Sequence, residues 1–271
     1  MGRSQRRSEV ALERRGPIGR DECSPGRESD CIFRFLGRVA TLQERPDGRI
    51  VWSYLVGVAA GALVGLVVGG IGGRLVMLLL RLTSPEFVIG MESDDGFPIG
   101  VVSADTFQLL LAMTFLGAAN GALYVALRAS IPAGLRVVIW PLFAAAVGGA
   151  NVVHEDGVDF QLLEPAWFAV VSFVLLLAVA ALAVVLLVER WLGVERPGTR
   201  LTAFVVVAAL LGTFGLVIAG VLCALSLAWR RAPASIRRPL ATAARLTIPV
   251  LLVAFTVYTG LDLVRTASAI L

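Results

Sequence analysis

Two short acidic stretches hold most of the side chains with chemistry to offer. The first carries Glu92, Asp94 and Asp95, and the second carries His154, Asp156 and Asp159. Carboxylates supply the several oxygen ligands that a hard divalent cation takes, and one imidazole can join them. The spacing matches no dedicated calcium loop, so the competing readings are solvated loops or ion pairing with Arg74. No cofactor is expected. Lysine is absent from the 271 residues, which excludes a phosphate-loop lysine, a Schiff base and a lysine nucleophile. One histidine cannot build a two-histidine zinc site, there is no GxSxG turn, and no nucleophile stands beside a base. The chain therefore does not read as an enzyme. Cys23 and Cys31 lie in a polar tail and Cys223 in an apolar run, so neither a disulfide nor a zinc framework follows.

The elements that must position these loops belong in a bilayer. The chain is 57% hydrophobic and 16% charged with a mean hydropathy of +0.82, a balance that a water-soluble domain does not carry. Residues 50–82 are free of charge from Val51 to Gly73, longer than the roughly 20 residues a membrane-spanning helix needs. Glycine recurs there at every fourth position: Gly57, Gly61, Gly65, Gly69 and Gly73. Each interior glycine costs a helix about 1 kcal/mol relative to alanine, so the repeat argues for close packing against another helix. Its natural partner is a second span, 106–127, which carries Gly117 and Gly121. Further spans are predicted at 137–153, about 165–188, 201–229 and 246–264. The fold class is all-α, a polytopic helical membrane protein with about six transmembrane helices and a glycine-striped first helix. Residues 1–49 read as a disordered, arginine-rich cytoplasmic tail and 50–271 as the helical transmembrane domain.

Charge sets the orientation. Placing the tail inside puts the acidic loops outside and the loops at Arg128 and Arg196 inside, in keeping with the positive-inside rule. Six spans with both ends inside then strand Arg230, Arg231, Arg237, Arg238 and Arg245 on the external face. That conflict disappears only if a helix is dropped or if 201–229 re-enters on its own side. Arg74 stands where the first helix leaves the bilayer, and its expected role is an ion pair with at least one carboxylate of the two acidic loops, Asp156 among them.

The strings GGRLVM at 72–77 and HEDGVDFQLLEP at 154–165 resemble uncharacterised bacterial polytopic membrane proteins. The likeness covers the four central helices and implies no activity or site. A multi-pass protein of the cell membrane with a cytoplasmic N-terminus is expected. Its partners are the lipid bilayer and, through small-residue helix faces, a second copy or another membrane protein; no nucleic acid is expected. The preferred function is a transporter or channel-like protein, using the glycine-packed helices as a moving or pore-lining element. The alternative is a non-catalytic membrane scaffold, sensor or assembly factor, using the same glycines only to pack.

Overall fold

A computed structural model describes residues 46–85, 104–153, 165–194 and 198–270, and every regular element among them is a helix. Helix α1 is Pro46–Val64; it passes through a π-helical stretch, Gly65–Gly72, into α2, Gly73–Thr83. Then follow α3 (Ala104–Leu127), α4 (Arg136–Val152), α5 (Ala166–Leu192), α6 (Thr199–Leu211), α7 (Thr213–Arg231) and α8 (Ala234–Ile270). Six helices among the described residues are long and apolar enough to cross a membrane: Asp47–Thr83, Thr106–Leu127, Ala133–Val152, Ala166–Leu192, Thr213–Arg231 and Pro239–Ile270. The protein is an all-α polytopic membrane protein.

The last two spans depart most from the boundaries read in the sequence. The run 201–229, expected as one helix, divides at Gly212, whose φ of −91° and ψ of 44° break the helical path between α6 and α7. Hydropathy is blind to that break, because both halves are apolar. Close approach explains the residue type: a Cβ on Gly212 would stand 2.7 Å from the Ala118 Cβ and 3.2 Å from the Ala62 Cβ. The final helix is longer than 246–264, and it absorbs Pro239 and Pro249 in its interior.

The first span is the axle of the bundle. Within the most apolar window of each span, 56% of residues are buried in the first and only 6% in the last, so α1 is central and α8 peripheral. Around α1 lie α3, α5, α6 and α7. Its Val56, Val58, Ala59, Ala60 and Ala62 are buried together with Ala118 and Ala122 of α3, Val184 and Val188 of α5, and Val205 and Ala208 of α6. Residues this small bring helix axes close, which is how membrane helices gain dispersion contacts where no hydrophobic effect drives them together.

Antiparallel packing of α1 on α3 forms the tightest seam. A Cβ on Gly57 would stand 2.7 Å from the Gly121 carbonyl oxygen, one on Gly61 would overlap the Gly117 carbonyl, and one on Gly65 the Met113 carbonyl. Only glycine fits at such separations. In the π-helical stretch GLVVGGIG the turns widen to i→i+5 bonding, a form usually confined to single turns. The stripe changes partner as it passes through. Gly69 still faces the Met113 side chain, whereas Gly72 and Gly73 face Leu176 of α5.

A separate apolar cluster closes the far end of the bundle. Leu80 of α2, Val153 beyond α4, and Ala169 and Val170 of α5 are buried there, with Leu263, Ala267 and Ile270 of α8 packed against them.

Candidate functional site

The most concentrated polar chemistry among the described residues gathers at the opposite end, where α3 stops, α4 starts and α5 stops. Tyr124 and Arg128 lie four residues apart on one face of α3 and its exit turn, so both reach the same neighbour. That neighbour is Glu189, in the last turn of α5. An acid at a helix C-terminus faces the negative end of the helix dipole and needs nearby cations to be stable there. Two are supplied. Arg128 grips the carboxylate with both arms, its Nε donating to Oε1 at 3.1 Å and its Nη2 to Oε2 at 2.9 Å. Arg136, the first residue of α4, donates from Nη1 to Oε1 at 3.1 Å and from Nε to the Ile131 carbonyl at 3.2 Å. The Tyr124 hydroxyl donates to Oε1 at 2.7 Å.

The surroundings hold this arrangement still. Tyr124 is fully buried, with its ring 5.3 Å from that of Trp140, which in turn lies 5.4 Å from Phe143. Ile131, in the turn that joins α3 to α4, is buried too. Glu189 accepts four hydrogen bonds from three side chains, three of them at Oε1 and one at Oε2. It therefore ties together the ends of three helices. The group carries one negative and two positive charges, and each guanidinium keeps donors that Glu189 does not occupy.

Sequence reading missed this clamp. The uncharged run of the fourth span stops at 188, one residue before the acid, and Arg128 reads there only as a topology signal. A signal was available: a lone glutamate closing an uncharged span, on the same side as a short connection bounded by two arginines.

The sites expected from the sequence fall in two groups. Asp94, Asp95, His154, Asp156 and Asp159, with Glu92, lie outside the described residues, so the proposed cation site and the Arg74 to Asp156 pairing do as well. Among the described residues no cluster of three or more His, Cys, Asp or Glu could hold a metal ion. Arg74 is half-buried at the start of α2, beside Gly73 and its Leu176 contact. Gly57, Gly61, Gly65, Gly117 and Gly121 come together in the α1–α3 seam, while Gly69 faces the Met113 side chain and Gly73 turns to α5. Asn151 donates to the Val147 carbonyl of its own helix at 2.6 Å. Comparison with family models, with curated proteins and with solved structures finds no match to this chain.

Proposed function

We propose that the protein is a non-catalytic membrane scaffold, with a helical body that assembles once and an arginine-rich tail that engages a partner at the membrane surface. The α1–α3 seam carries this reading. Backbone meeting backbone at Gly57, Gly61 and Gly65 leaves no room for solute and little for sliding, because any displacement along the axis drives carbonyls into Cα atoms. Polar groups within the spans support it. The Thr114 hydroxyl donates to the Leu110 carbonyl at 2.7 Å and Thr256 to Leu252 at 2.7 Å, so these groups are satisfied within their own helices.

A transporter or channel-like role is the second reading, favoured by the break at Gly212 and the π-helical stretch. Discontinuous helices and wide turns are devices that transporters use to build solute sites. Reconstitution separates the two. Full-length protein in proteoliposomes with entrapped proton, potassium and chloride dyes should give no flux above protein-free vesicles. Flux of any of these ions above the protein-free baseline would overturn the scaffold. In cells, a partner should co-purify with the full chain and be lost on removal of residues 1–49.

A further inference from the structure

Length and composition alone would let α7 cross the membrane, yet its contacts place its two ends elsewhere. Depth is read against α1 and α3, whose antiparallel seam supplies a ruler: Met113 is level with Gly65, Gly117 with Gly61 and Gly121 with Gly57. Lower numbers on α1, and higher numbers on α3, lead toward the Glu189 clamp. Helix α6 begins at that end, where Phe204 sets its ring edge-on to Trp191 of α5 at 5.9 Å. It ends at Gly212, against Ala118, Ala62 and Val58. Ala118 lies nine residues before the end of α3, about 14 Å in at 1.5 Å per residue, or half the depth of a hydrocarbon core roughly 30 Å thick.

From that point α7 turns back. Phe214 lies 6.4 Å from Phe115, and Gly215 rests on Ala118. Eleven residues later Ser226 shares a 2.9 Å hydrogen bond with the hydroxyl of Tyr54, near the start of α1 and on the clamp side of Gly57. Helix α7 thus travels from mid-depth to the end at which α6 entered. Helix α8 then makes a full passage beside α4: Phe255 lies 6.3 Å from Phe143, Leu263 lies against Gly149, and Ile270 packs with Leu80 and Val153 in the far cluster.

We propose that α6 and α7 form a re-entrant hairpin, entering and leaving the membrane on the clamp face, so that the described chain crosses five times and finishes on the face opposite its start. This removes the conflict in the charge distribution. Arg230, Arg231 and Arg237 join Arg128 and Arg136 on one face, where Arg237 also donates to the Arg230 carbonyl at 3.0 Å. That face becomes a cationic surface matched to the anionic headgroups of a cytoplasmic leaflet. The hairpin has a ready socket, because Gly212 and Gly215 let its tip sit on Ala118.

The test is relative sidedness in the full chain with its native cysteines replaced. Gly134→Cys, in the exposed turn between α3 and α4, marks the clamp face; Ala234→Cys lies just after α7; Ser268→Cys lies near the end of α8. Each is exposed to an impermeant thiol reagent before and after the cells are opened. The hairpin requires Ala234→Cys to behave like Gly134→Cys, and Ser268→Cys to behave in the opposite way. A crossing α7 requires the reverse pairing. A reporter enzyme fused after the last residue gives an independent reading of the Ser268 side. Ala234→Cys parting from Gly134→Cys, or Ser268→Cys and the reporter joining it, overturns the proposal.

Discussion

Gly61 and Gly220 are both glycines in apolar helices, and they live under opposite constraints. A methyl group on Gly61 would overlap the Gly117 carbonyl, whereas one on Gly220, in α7, would meet nothing within 4 Å. The first lies in the central helix and the second in a helix whose apolar window is only 11% buried. One residue type therefore serves two purposes: at the centre it sets the distance between backbones, and at the rim it merely weakens helix propensity. The same gradient separates the two ends of the bundle. An ionic clamp fastens one and an apolar cluster closes the other.

The sharpest way to break this comparison is Gly61→Ala. Overpacking against a backbone that cannot swing away should cost about 3 kcal/mol, read as lost folded yield and a lower melting temperature in detergent. Gly220→Ala should leave the protein unchanged or up to about 1 kcal/mol more stable. Equal melting of the two variants would abolish the distinction between centre and rim.

Next in size is Glu189→Gln at the clamp. It removes the charge that two guanidiniums share, and because the Glu189 side chain is 34% exposed the cost should be held to about 2 kcal/mol. Combined with Arg128→Gln, the loss should fall short of the sum of the two single changes. Strict additivity in thermal unfolding would mean that the pair contributes nothing. Smallest is Tyr54→Phe, which deletes the hydrogen bond to Ser226 and should cost about 1 kcal/mol. Adding Ser226→Ala should then cost little more, and two full independent losses would contradict the contact that brings α7 back to the start of α1.

Much of this architecture was legible in the sequence, and the parts that were not share a cause. Uncharged runs revealed the spans, since backbone groups in lipid must bond within a helix and few other solutions exist. The fourfold spacing of Gly57, Gly61 and Gly65 pointed to a close helix contact, and Gly117 and Gly121 named the facing helix. What hydropathy could not convey was direction. Gly212 reads as one more small residue in an apolar run, and only its backbone angles and its seat on Ala118 show the chain reversing. The Glu189 clamp joins residues more than fifty positions apart, and no local pattern announces such a meeting. The handover of the glycine stripe from α3 to α5 likewise depends on how the helix is wound after Gly65.

That winding bears on how the sequence can drift over generations. A π turn holds one more residue than an α turn over the same rise of hydrogen bonding, so the stretch Gly65–Gly72 stores slack within a continuous helix. Loss of a codon there can be absorbed by tightening the turn to ordinary α winding, which leaves the glycines before it seated on α3. Loss of a codon between Gly57 and Gly65 has no such outlet: it swings every later residue about a quarter-turn around the axis and pulls the seam out of register. Insertions and deletions in this gene should accordingly collect in the eight residues of the wide turns and be purged from the eight that precede them.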